Sequence, residues 1–156
     1  VVDALPLLVF FQSLILDMAG NTGTQSLAVT IRVISNEQTT KKDVAKLILK
    51  ELKVGLLNGL IIGSISFCVV LLFLMFVKSK DAGMIYNLKI ATSIGISMLA
   101  SIIVANAAGT IIPVIFKKCK VDPAVASGPL ITTLNDIIAV SIYYGLAWIL
   151  FKTLIG

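Results

Sequence analysis

The stretch VGLLNGLIIGSISFCVVLLFLMFV, residues 54–77, decides the fold class, because no charged residue interrupts it. At about 1.5 Å of rise per residue, roughly 20 apolar residues in a helix cross the hydrocarbon core of a bilayer. Gly55, Gly59 and Gly63 recur every four residues within it. They draw a smooth stripe down one helix face, where a second backbone can approach closely. Packing, rather than chemistry, is the simpler use of that stripe.

Working outward, the preceding residues 35–53 are polar and lysine-rich, with Val44, Leu47, Ile48 and Leu52 at helical spacing. This pattern predicts an interfacial helical turn or two that leads directly into the span. Residues 4–34 form another long apolar segment, with Pro6 suited to its first turn, Asp17 inside it and Arg32 at its end. Beyond the loop 78–89, residues 90–116 are again free of charge. Ser93, Ser97, Ser101, Ala105 and Gly109 make a second small-residue stripe there. A basic turn follows, and a last apolar segment runs over 124–151, with Trp148 and Lys152 at the end where interfacial anchors belong. The expected architecture is all-α: one polytopic membrane bundle with four transmembrane helices over residues 1–156.

Composition agrees. Of 156 residues, 58% are hydrophobic and 13% charged, against roughly 25% charged in an ordinary soluble domain. The mean hydropathy is +1.03. The net charge of +5 does not point to nucleic acid, because the basic residues flank apolar runs without aromatic interleaving. They read as topology signals and contacts to the lipid bilayer. Histidine is absent, and Cys68 and Cys119 form no metal-ligand cluster. No nucleophile–base pair or two-carboxylate hydrolytic pattern is visible, so an enzyme is not expected.

The lysines also orient the chain. Arg32, Lys41, Lys42, Lys46, Lys50 and Lys53 share one side with Lys117, Lys118 and Lys120, against Lys78, Lys80, Lys89 and Lys152 on the other. The richer side is expected in the cytoplasm, with both chain ends outside. An outside start with no visible signal peptide suggests that at least one span precedes this sequence.

Ionisable residues inside spans are costly and are functional candidates by default. Asp136 stands about half-way along the last apolar segment, with Thr132 and Thr133 one turn before it and Asn135 beside it. Asp17, Asn21, Thr24 and Gln25 share a face of the first segment, with Gly20 and Gly23 between them. A polar stripe of that length facing lipid would be unstable, so it should face a water-filled path or the bundle interior. Oxygen donors of this kind suit Mg²⁺, Ca²⁺ or Mn²⁺ rather than soft metals. Mg²⁺ keeps several of its waters. The residues therefore point to a divalent cation pathway and leave monovalent cations open.

The run Leu16-Asp17-Met18-Ala19-Gly20-Asn21-Thr22-Gly23-Thr24-Gln25-Ser26, ending in Thr30-Ile31-Arg32, resembles the MgtE magnesium channel/transporter family. So do Asp122-Pro123-Ala124, Ser127-Gly128-Pro129, Thr132-Thr133, Asp136 and the Lys50-Glu51 start of the second span. The resemblance covers essentially the whole sequence. It implies a homodimer with five transmembrane helices per subunit and a pore lined by the counterparts of the first and last segments here. Two-fold symmetry would bring the first and last segments of both copies to the shared pore, and cysteine cross-linking at Thr132 or Ala139 tests that expectation. It implies that Asp136 is the main Mg²⁺ site, surrounded by Gly20, Asn21, Thr24 and Thr132, and that Asp122 lies at the cytoplasmic mouth. The family's first helix, soluble N-terminal domain and Mg²⁺-sensing CBS domains have no counterpart in these residues, so regulatory cytosolic domains are expected in the full-length protein. A proton- or sodium-coupled transporter of divalent cations is the competing expectation, although no convincing internal repeat supports it.

Overall fold

The computed structural model describes residues 5–77, 83–122 and 129–154. Lys78, Lys80, Pro123, Ala124, Ser127 and Gly128 lie outside the described residues, and the expectations placed on them go no further.

Four helices follow one another: α1 (Leu5–Ile34), α2 (Lys41–Val77), α3 (Met84–Lys118) and α4 (Pro129–Leu154). Pro6 sits in the first turn of α1, where its missing N–H costs no helical hydrogen bond. A capping box opens α2. The Asp43 amide donates to Thr40 Oγ1 at 3.3 Å, and the Thr40 amide donates to Asp43 Oδ2 at 3.1 Å. From there α2 continues unbroken for 37 residues. That is longer than a bilayer core requires, and its lysine-rich first turns run into the apolar span without a break. The end of α3 is tighter. Lys120 adopts φ 59°, and the Val121 amide reaches back to the Phe116 carbonyl at 3.0 Å. This left-handed turn closes the helix with the hydrogen bond that a glycine usually permits.

α3 is the hub, packing on α1, α2 and α4, while α1 also meets α4 and touches α2 only slightly. Its Ile90, Ile94, Met98 and Ile102 join Ile15 and Ala19 of α1, Val70 and Leu74 of α2, and Tyr143 of α4 in one buried cluster. The glycine stripe explains the close α2–α3 contact. A Cβ at Gly63 would lie 2.9 Å from the Gly95 carbonyl oxygen, and one at Gly59 would lie 3.0 Å from that of Leu99. Both small-residue stripes are therefore packing surfaces. Ser93, Ser97 and Ser101 are fully buried, and Ser101 donates to the Ala139 carbonyl at 3.0 Å.

The distribution of polarity is that of a membrane protein. Leu56, Leu57, Leu60, Ile61, Ile65, Val69 and Leu72 of α2 are exposed, while Ser97, Asn106 and Asn135 are buried. An apolar exterior this continuous is not compatible with water. α2, α3 and α4 are each long and apolar enough to cross a membrane by length and composition. α1 completes the bundle, with its middle interrupted by the polar run from Asp17 to Ser26. The chain is a multi-pass, all-α membrane bundle.

Candidate functional site

α1 and α4 pack along one another, and their polar residues meet. Ser13, Asp17, Gly20, Asn21 and Thr24 of α1 and Thr132 and Asp136 of α4 line one open groove of about 450 Å³. Four-residue spacing produces the α1 side, since positions one turn apart stack on a common face. Asn21 Nδ2 donates to Asp17 Oδ1 at 3.3 Å, holding two of the oxygen donors together. Thr24 Oγ1 donates to the Gly20 carbonyl at 2.7 Å, which leaves the hydroxyl's lone pairs free to accept.

Gly20 stands at the centre of α1. A Cβ there would lie 3.3 Å from Asp136 Oδ1, so the absent side chain lets the α4 carboxylate approach the α1 backbone. The resulting donor set is mixed: two carboxylates, an amide, hydroxyls and a main-chain carbonyl. Among the described residues no three Asp, Glu, Cys or His side chains cluster as a protein-only metal cage. Such a wall suits an ion that arrives with waters attached, because the waters donate to these oxygens while the carboxylates supply charge.

Five of the six residues expected at the site thus lie together: Asp136, Thr132, Asn21, Gly20 and Thr24. Asp122 is exposed, just past the end of α3, and does not line the groove. Asp17 does line it, as does Ser13, which sequence reasoning missed although it lies one turn before Asp17. Gln25 is exposed but is not part of the groove wall. Asp136 falls two turns into α4 as described, rather than at its middle. It is the level of Gly20 on α1 that places the site centrally.

A second polar layer lies behind α1 and was not anticipated. Glu51, read from the sequence as part of an interfacial polar stretch, is only 5% exposed. Ser26 Oγ donates to its Oε2 at 2.8 Å. One turn further along α2, Gly55 makes room for Asn106 of α3, whose Cγ would lie 2.8 Å from a Cβ at that glycine. Asn135 packs against Gly23 in the same manner. The signal was present in Thr22, Ser26 and Thr30, spaced four apart on the α1 face opposite the groove and all buried.

Residues 12–146 match the family model MgtE, described as a divalent cation transporter. The chain is 41% identical over 140 residues to a magnesium transporter MgtE of Bacillus subtilis, covering 90% of this chain and 29% of that protein. It is 42% identical over 141 residues to the magnesium transporter MgtE of Enterococcus faecalis, covering 90% and 29%. It is 32% identical over 152 residues to that of Thermus thermophilus, covering 97% and 31%. The chain therefore spans about a third or less of the length of these curated relatives. On a family match across most of its length, the chain belongs to the MgtE family of divalent cation transporters.

Proposed function

We propose that this chain conducts Mg²⁺ across the membrane as half of a channel pore built by two copies around a two-fold axis. The observation that carries this reading is the groove, in which Asp136 faces α1 across Gly20 with amide, hydroxyl and carbonyl oxygens around it. The groove opens to the outside of the subunit. Left facing lipid, its polar wall would cost several kcal/mol per unsatisfied group, on the order of 2–7 for each amide or hydroxyl. A second copy closes the groove isologously and brings two Asp136 and two Asp17 carboxylates to one passage. The names of the relatives, magnesium transporters, support Mg²⁺ as the transported ion.

In this reading Asp136 supplies the charge that draws the cation into the membrane. Asn21, Thr24 and Thr132 orient the waters that Mg²⁺ sheds reluctantly. The facing carboxylates repel one another when no cation lies between them, and an entering ion relieves that repulsion. Asp122 belongs to the cytoplasmic mouth, and cytosolic domains regulate the flow.

The test is Mg²⁺ uptake into proteoliposomes by the parent and by Asp136→Asn, which keeps shape and hydrogen-bonding capacity but removes the charge. The variant is expected to fold and dimerise and to lose most Mg²⁺ flux. Normal flux in Asp136→Asn would make the residue a structural hydrogen-bonding group. Uptake that stops when a proton or sodium gradient is collapsed would favour coupled transport instead.

A further inference from the structure

A second cavity lies at the lysine-rich end of the bundle, where α1 ends, α2 begins and α3 ends. It measures about 580 Å³ and has two distinct halves. Lys41, Lys117 and Lys118 make its basic rim, with no acidic residue in its lining. Val44, Ile48 and Val114 make an apolar wall that continues toward the membrane-spanning part of the helices. The rim is organised. Lys117 Nζ donates to the Ile34 carbonyl at the last residue of α1, which pins the end of α3 to the end of α1. Asp43, the carboxylate closest in sequence to Lys41, is engaged by Thr40, whose hydroxyl donates to it at 2.6 Å. Lys41 and Lys118 line the cavity and are exposed.

We propose that this cavity is a binding site for an anionic phospholipid, with the phosphate between Lys41 and Lys118 and the first acyl carbons against Val44, Ile48 and Val114. The chemistry requires both halves of one ligand. A small soluble anion satisfies the rim and leaves the apolar wall facing water. A lipid with a neutral headgroup covers the wall and leaves three like charges without a counter-charge. Basic pockets between helices at the cytoplasmic surface select anionic headgroups on these grounds, and each lysine near such a surface adds severalfold to binding. The volume accommodates a glycerophosphate with its first methylenes, while the remaining chains lie along the apolar exterior. A lipid seated here bridges the α1–α2 turn to the end of α3, adding to the Lys117–Ile34 hydrogen bond and to the packing of Leu27 and Ile31 on Ile112 and Phe116. This inference rests on the membrane architecture and is independent of the ion that the groove carries.

The experiment is native mass spectrometry of the intact, detergent-purified protein titrated with phosphatidylglycerol or phosphatidylcholine, with thermal unfolding read in parallel. Phosphatidylglycerol is expected to give a saturable adduct of one lipid per subunit and to raise the unfolding temperature, and phosphatidylcholine to do neither. Lys41→Gln/Lys118→Gln should weaken phosphatidylglycerol binding roughly tenfold or more and leave the lipid-free unfolding temperature unchanged. Lys46→Gln/Lys53→Gln, equal in charge but outside the cavity, should bind like the parent. Val114→Trp should fill the wall and abolish the adduct with every lysine in place, and Ile48→Trp serves if Val114→Trp does not fold. Equal binding of both lipids, equal loss in the control pair, or an undiminished adduct in the filled variants overturns the proposal. Displacement of phosphatidylglycerol by millimolar inorganic phosphate, together with equal phosphate binding in Val114→Trp, reassigns the rim to a free anion. Absence of any adduct on the intact protein means that another segment covers the site, and also overturns it.

Discussion

Gly20 and Asp136 meet so closely that a single methyl group at Gly20 would stand 3.3 Å from Asp136 Oδ1. That distance is tight for a Cβ contact but involves the free end of a side chain, which can yield by a few tenths of an ångström. Gly20→Ala should therefore fold. Its helix gains about 0.5–1 kcal/mol from the lost glycine flexibility, offset in part by the contact. The cost appears in function, because the carboxylate must turn away from the α1 backbone. Mg²⁺ affinity is expected to fall several-fold while the unfolding temperature stays level or rises. Calorimetric Mg²⁺ titration beside a thermal melt separates the two. Unchanged affinity would mean that the approach of Gly20 to Asp136 serves packing alone.

Ser26 and Glu51 make the corresponding test on the buried side of α1. Removing the Ser26 hydroxyl leaves a buried carboxylate short of its donor, which costs about 1–3 kcal/mol. Ser26→Ala should lower stability by that amount, Glu51→Gln by less, and the double variant by less than the sum. A double-mutant cycle on unfolding free energy reads the coupling directly. Additive effects would show that the 2.8 Å contact contributes nothing of its own to holding α1 on α2.

Glycines in this chain divide by what surrounds them, and substitutions should divide in the same way. Gly63 and Gly95 face each other's carbonyl oxygens, at 2.9 and 3.1 Å from the Cβ each lacks. Gly145 of α4 has nothing within 4 Å. Gly63→Leu forces α2 from α3 and is expected to abolish most folded yield, with unaltered ion preference in whatever survives. Gly145→Ala adds helix propensity worth about 1 kcal/mol without a clash and should raise the unfolding temperature. Size-exclusion yield and a melt in the same detergent check both. A selectivity change in folded Gly63→Leu would move the stripe from packing to the ion path.

The contrast between these residues explains what was legible in the sequence. The stripes Gly55–Gly59–Gly63 and Ser93–Ser97–Ser101 could be read because helix packing repeats with the period of the helix itself. The groove face of α1 was legible for the same reason. The stripe overreached at Gln25, since a residue next to Thr24 is rotated about 100° away from it. Glu51 was not legible. Surrounded in sequence by Lys46, Lys50 and Lys53, it reads as a solvated charge, and only a contact with Ser26, distant in sequence, takes it inside. Ala139 was expected near a shared axis with Thr132. Seven positions return a residue to within about 20° of the same helix face, but at the level of Ala139 that face is covered: Ala139 is fully buried, its carbonyl accepting from Ser101 of α3.

That last correction sharpens the test of assembly. If two copies close the groove, the α4 positions that meet across the axis must be exposed in a single subunit and lie on the groove side. Thr132 lines the groove and is exposed, whereas Ile137, rotated about 100° from Asp136, is 58% exposed but stands outside the groove lining. Ala139 cannot reach a second copy without unpacking α4 from α3. Cys68 and Cys119 are both free and exposed, so the background should be Cys68→Ala/Cys119→Ser. In that background Thr132→Cys is expected to form a disulfide-linked dimer on mild oxidation in membranes, and Ile137→Cys a weaker one. Ala139→Cys should stay monomeric on a denaturing gel, as should Leu60→Cys on the apolar outer face of α2. Disulfide geometry demands Cα atoms within roughly 7 Å of each other, so a short bifunctional maleimide extends the reach if the pore is wider than that. Mg²⁺ adds a further expectation: an ion held between facing Asp136 carboxylates draws the α4 helices together, and the Thr132→Cys link should form faster in its presence than in its absence. Linking at Leu60→Cys with none at Thr132→Cys or Ile137→Cys, by either reagent, would place the subunit contact on α2 and leave the α1–α4 groove facing something other than its own copy.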